Sequence, residues 1–136
     1  MKKKRILVVD DDKLLRLILQ RTLEANGFEV SVAADGAEAL RMVPQSRPHL
    51  VVLDVMMPKV NGYRVSRMIK MLVKHAQIRV PKVVLLTARR VNSIRSQELL
   101  DFSMADKMMF KPYQPAALIA TIDGLLPVEA TQPTAA

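Results

Sequence analysis

Leu50-Val51-Val52-Leu53-Asp54 is a run of four apolar residues closed by an aspartate. A strand with one wet face alternates apolar and polar residues, so a run that is apolar throughout has both faces covered. Lys82 to Leu86 repeats the pattern downstream, and Arg5 to Val9 repeats it upstream. Phe28 to Ala33 and Ala105 to Phe110 read as two further strands. Helix-period stretches alternate with these runs five times: Lys13 to Asn26, Gly36 to Gln45, Asn61 to His75, Val91 to Asp101 and Pro115 to Leu126. Strands buried on both faces and joined by helical crossovers predict an α/β fold, a parallel sheet with helices on each side.

The helices differ in clarity. Asn61 to His75 is the clearest, with Val65, Met68, Ile69, Leu72 and Val73 on one stripe and Arg64, Arg67, Lys70 and Lys74 away from it. Lys13 to Asn26 places Leu15, Ile18, Leu19, Thr22 and Leu23 on one face, and Gly27 is suited to stop it. Gly36 to Gln45 turns Ala37, Leu40 and Val43 inward. Val91 to Asp101 is weaker, its apolar positions sparse. One domain is expected over 1–126, with 127–136 a disordered tail that has little to bury.

In such a sheet, ligands bind beyond the carboxyl ends of the strands. Those ends are polar here. The first strand runs into Asp10-Asp11-Asp12, the third into Asp54, the fourth into Thr87 and the fifth into Lys111-Pro112. Crowded carboxylates invite a hard divalent cation, and Mg2+ prefers oxygen ligands. An ionised carboxylate can serve as nucleophile in phosphoryl transfer. Metal and lysine would neutralise charge on the phosphoryl oxygens, and a threonine hydroxyl would donate to one of them. Taken singly, these residues have plainer readings. Asp12 precedes a helix and reads as its N-cap, Thr87 alone is a strand-end residue, and Lys111 alone is a solvated charge.

The 136 residues contain no cysteine, which excludes disulfides and thiolate metal sites and fits a reducing cytosol. The basic opening is followed by only four apolar residues before three aspartates, too short for a signal peptide core. No stretch is apolar for long enough to span a membrane as a helix. The net charge is +8, and after Asp54 the next acidic residue is Glu98. Lys59, Arg64, Arg67, Lys70, Lys74, Arg79, Lys82, Arg89, Arg90 and Arg95 fall between them. That stretch reads as a solvated face, as a surface for an acidic partner, or, less well, as a contact for an anionic polymer. No separate nucleic-acid-binding module is present, and His49 and His75 stand isolated.

The ordered set Ile6-Leu7-Val8-Val9-Asp10-Asp11-Asp12, Leu53-Asp54-Val55-Met56-Met57-Pro58 with Gly62, Leu85-Leu86-Thr87-Ala88-Arg89 and Lys111-Pro112 closely resembles the bacterial response-regulator receiver family, over Lys4 to Leu126. The resemblance implies a flavodoxin-like (βα)5 fold with strand order 2-1-3-4-5. It implies Asp54 as phosphoacceptor, and Thr87 and Lys111 as the pair that senses the phosphate. Asp11 is implied as direct Mg2+ ligand, Asp10 through water, with Asp54 and the Met56 carbonyl completing the set. A cis Lys111–Pro112 peptide is implied too. The implied output is a switch through Ala88 and position 108 to the face of the fourth helix, fifth strand and fifth helix. A histidine kinase or phosphotransfer protein would be the donor and a downstream protein the target, in the cytoplasm, with the chain a monomer or weak dimer and not an enzyme in its own right. Two positions depart from the family pattern: Met108 stands where an aromatic is usual, and Met104 where a glycine is usual. Apolar Met56, two past the acceptor, predicts slow loss of phosphate. The rivals are a phosphorylation-independent module acting through the basic Lys59–Arg95 stretch, a nucleic-acid binder using Arg67, Lys70 and Lys74, and a flavin-binding relative, which the crowded carboxylates disfavour.

Overall fold

The computed structural model describes residues 2–57, 60–88 and 93–126. The expected tail beyond Leu126, and Lys59, Arg89 and Arg90, lie outside the described residues. The elements alternate as β1 (Arg5–Val9), α1 (Lys13–Ala25), β2 (Glu29–Ala33), α2 (Gly36–Ser46), β3 (Leu50–Asp54), α3 (Gly62–Ala76), β4 (Lys82–Thr87), α4 (Ser93–Ser103), β5 (Lys107–Phe110) and α5 (Pro115–Leu125). All strand pairs are parallel, in the order β2-β1-β3-β4-β5. This is the doubly wound, flavodoxin-like sheet the sequence predicts.

Between their polar ends, β1, β3 and β4 are apolar at every position because alternate residues feed opposite cores. Leu7, Val9, Val51, Leu53, Val83 and Leu85 pack with Ala39 and Val43 of α2 and Val65, Ile69 and Val73 of α3. Ile6, Val8, Leu50, Val52, Val84 and Leu86 pack with Leu19 and Leu23 of α1 and Leu118 and Ile122 of α5. The chain leaves α1 through Asn26 and Gly27, the latter at φ +91, a left-handed turn that a glycine makes without steric cost.

The helical faces need correction at several positions. Only Leu19 and Leu23 of α1 are buried, and Ile18 is 50% exposed; Leu15 is exposed as well. Helix α1 starts after only three intervening residues past β1, so its first turns stand beside the carboxyl edge of the sheet rather than over its centre. In α2 the inward residue is Ala39, and Ala37 is exposed. In α3 Met68 is 48% exposed, whereas Lys70, expected on the wet face, is only 7% exposed.

Lys70 is buried because it has partners. Its ammonium donates to the Pro81 carbonyl at 2.8 Å and to Asp106 at 2.7 Å. Asp106 also accepts from the Val83 amide at 2.8 Å, and its own amide donates to the Val83 carbonyl at 2.9 Å. This exchange holds Ala105 and Asp106 outside the ladder, so β5 starts at Lys107, two residues later than the apolar pattern suggests. Ser66 donates to the Ser103 carbonyl, and Arg67 donates to the Phe102 carbonyl while lying over the Phe102 ring. One side of α3 therefore grips the end of α4 and the turn into β5. Met104, at the position where glycine is usual, takes φ +60, a left-handed conformation disfavoured for a side chain with a Cβ.

Candidate functional site

Register brings the polar strand ends together. Val9 of β1 pairs with Leu53 of β3, so Asp10 and Asp54 leave adjacent strands at the same level. The Asp10 amide donates to the Ala33 carbonyl at 3.2 Å, extending the β1–β2 pairing by one residue. Asp10 is buried, and its carboxylate accepts from the Asp12 amide at 2.9 Å. Asp12 caps α1, accepting from the Leu14 and Leu15 amides, as its position predicts. Asp11 is exposed at the rim. Carboxylate oxygens of Asp10, Asp11 and Asp54 all lie within 4.8 Å of one another.

Asp54 closes β3 and is 5% exposed. Its Oδ1 accepts from the Met56 amide at 3.1 Å and from the Lys111 ammonium at 3.4 Å. The strand end is fixed from three sides. The Val55 amide donates to the Leu86 carbonyl, and the Met57 and Gly62 amides donate to the Val55 carbonyl. Gly62 carries the closest approach: a Cβ there would stand 2.5 Å from the Asp54 carbonyl oxygen. No other residue could start α3 so near the acceptor strand.

Thr87 is the last residue of β4, buried, and its carbonyl accepts from the Lys111 amide at 2.8 Å, tying the fourth and fifth strand ends together. The Lys111–Pro112 peptide is cis. Ala88 follows Thr87 at the surface. Met108 pairs with Leu85 in the ladder and packs, half-buried, against the core under α2 and α3.

Burial is the main force raising the proton affinity of Asp10 above the ordinary carboxylate value; the Asp12 amide opposes it, Asp54 and Asp11 add to it, and Lys111 opposes it. Burial also raises the Tyr113 phenol, with the negative charges of Asp10 and Asp54 adding to the shift. Tyr113 thus borders the acidic pocket, a neighbour that sequence reasoning missed; its only signal was a place two residues past Lys111. His49, isolated in sequence, accepts the Arg5 amide at 2.9 Å.

Among the described residues of the basic stretch, not all face outward without a partner. Lys70 is internal, Lys82 lies 3.8 Å from Asp106, Arg95 pairs with Glu98, and Arg79 donates to the Arg47 carbonyl. Arg64 and Lys74 of α3 are exposed.

Residues 6–123 match the family described as the response regulator receiver domain. The chain belongs to that family. Receiver domains are two-component signalling domains that take phosphoryl groups from kinases and act on downstream targets. This receiver is 43% identical to a probable transcriptional regulator, ycf27, of Cyanophora paradoxa, over 91% of this chain and 48% of the relative. It is 43% identical to the response regulator MprA of Mycobacterium leprae, over 90% of this chain and 50% of that protein. The receiver thus spans about half the length of these curated relatives. Among solved structures it resembles the Vibrio cholerae chemotaxis protein CheY4, with a TM-score of 0.79, 27% identity, and 91% and 99% of the two chains covered. It also resembles the Thermotoga maritima response regulator TrrA, solved in complex with Mg2+ and a beryllofluoride, with a TM-score of 0.75, 33% identity, and 90% and 98% covered.

Proposed function

We propose that Asp54 accepts a phosphoryl group from a histidine kinase or phosphotransfer protein, and that the resulting change in the β4–α4–β5–α5 face controls a protein partner. The observation that carries this reading is the meeting of three carboxylates from the ends of β1 and β3 with the Lys111 ammonium from the end of β5.

The donor set fits Mg2+. It consists only of hard oxygen donors, and burial and mutual repulsion make the Asp10 charge costly without a cation. Asp10, Asp11, Asp54 and the Met56 carbonyl are the proposed ligands; the ion would supply positive charge against the phosphoryl oxygens. The chain's own residues do the rest. A carboxylate oxygen of Asp54 attacks phosphorus as the bond from phosphorus to the donor atom breaks, and the donor leaves with that electron pair. The Met56 amide and Lys111 hold the attacking carboxylate in place. Lys111 then balances the added negative charge, and the Thr87 hydroxyl donates to a phosphoryl oxygen. Thr87 and Lys111, joined through a backbone hydrogen bond, pass the change to Ala88 and Met108. Half-buried, unbranched Met108 can repack without an aromatic ring to reorient.

The domain proper is proposed to be 1–126, cytoplasmic, and monomeric or weakly dimeric. The phosphorylation-independent and nucleic-acid readings are weakened where Lys70 turns inward and Lys82, Arg79 and Arg95 have partners within the fold, while Arg64, Arg67 and Lys74 stay exposed. A transcriptional output, as the name of the Cyanophora relative suggests, would be carried by chain beyond this fold.

Beryllofluoride with Mg2+, which mimics a phosphoryl group on a carboxylate, tests the switch. Amide resonances around Thr87, Ala88 and 107–111 should shift in the wild type and stay in place in Asp54→Ala. Equal shifts in both would remove Asp54 from the proposal.

A further inference from the structure

At the opposite rim, where the strands begin, a second group of charges plays no part in the phosphoryl chemistry. Arg5 opens β1, Arg47 follows the last turn of α2, and Arg79 lies in the connection from α3 to β4. Arg5 donates through Nε to the Ser46 carbonyl and through Nη2 to the Arg47 carbonyl, both at 2.9 Å. Arg79 Nη2 donates to that same Arg47 carbonyl at 2.6 Å. Two guanidinium groups are thus held within hydrogen-bonding reach of a single oxygen, and the exposed Arg47 brings a third.

Capping of α2 explains part of this, since the last carbonyls of a helix lack partners and attract cations. It does not balance the charge. Among the described residues, the ion pairs join Lys70 and Lys82 to Asp106, Arg95 to Glu98 and Lys111 to Asp54, and none of the three arginines takes part. Partial desolvation, then the positive charges of Arg5 and Arg47, hold the exposed Arg79 guanidinium below its ordinary proton affinity. Arg47 also adopts φ +45, a left-handed conformation that glycine takes more readily. Its side chain is not needed to cap the helix, because its backbone oxygen receives the other two arginines.

We propose that Arg5, Arg47 and Arg79 form a binding site for a compact phosphate group of more than one negative charge. Guanidinium groups carry five N–H donors each. The backbone contacts use Nε and Nη2 of Arg5 and Nη2 of Arg79, which fixes both groups before any ligand arrives and leaves their other donors for phosphate oxygens. A multiply charged oxyanion would supply the counter-charge that a single carbonyl cannot.

Pyrophosphate is the probe, titrated into the full chain with a chelator present so that no divalent cation links it to the acidic pocket. Amide shifts should saturate and centre on Arg5, Ser46, Arg47, His49 and Arg79. Chloride at matched ionic strength should not reproduce them. Arg47→Gly keeps the carbonyl that Arg5 and Arg79 use, suits the left-handed backbone, and removes one guanidinium; Arg79→Gln removes another at the surface. Each should weaken pyrophosphate at least about tenfold, the scale of one charge-assisted hydrogen bond, while thermal unfolding shows both variants folded. Unsaturating shifts, shifts that chloride matches, or undiminished affinity in both folded variants would overturn the site and leave the arginines as helix caps.

Discussion

Asp54 meets the Met56 amide and the Lys111 ammonium through one oxygen, while Asp10 stands buried beside it with a carboxylate raised in proton affinity. For an acid, a raised folded value means the folded state holds its proton at higher pH than the unfolded chain does. Stability then falls as pH rises through that window, and at neutral pH the ionised group opposes folding. Asp10→Asn keeps an acceptor for the Asp12 amide and removes the charge. In the absence of divalent cations the variant should therefore unfold at a higher temperature than wild type, and Mg2+ should raise its midpoint less; a lower cation-free midpoint would refute this account of the pocket. Met56 places a 53% exposed apolar side chain two residues past the acceptor. Replacing it with Asn, which can orient water, should speed phosphate release from the phosphorylated protein; an unchanged release rate would count against apolar shielding.

Helix α3 shows what was legible at the level of elements and what was not. The strands of β1, β3 and β4 were readable because double burial forces an unbroken apolar run. The site followed from them, since Asp10, Asp54, Thr87 and Lys111 are simply the first polar residues past each apolar run. Lys70 could not be read this way. Helical periodicity assigns a lysine to water, and only the tertiary approach of Asp106, from 36 residues away, makes its burial favourable. The outer face of α1 was misread for a related reason: spacing marks an apolar stripe but not how much of the sheet lies beneath it. The Lys70–Asp106 pair makes an asymmetric prediction. Asp106→Ala leaves a buried ammonium without its counter-charge and should cost about 3 kcal/mol in chemical denaturation. Lys70→Met leaves Asp106 with the Val83 amide and Lys82 and should cost less. Equal costs would mean that burial of Lys70 carries no penalty for the pair to offset.

Among the described residues, two groups of charge stand at opposite ends of the strands. Carboxylates crowd the edge where strands end, and Arg5, Arg47 and Arg79 gather where they begin. The net charge of +8 says nothing of this arrangement, because many of the basic residues are spent on internal pairs and helix ends. On the proposed readings, one rim takes a cation and a phosphoryl group and the other an anion, at opposite edges of one sheet. The proposed chemistry turns on Asp54 as the phosphoacceptor. Intact mass after incubation with acetyl phosphate and Mg2+, wild type beside Asp54→Ala, tests it most directly. A gain of one phosphoryl group in the wild type alone is expected; the same gain in Asp54→Ala would rule out Asp54 as the acceptor.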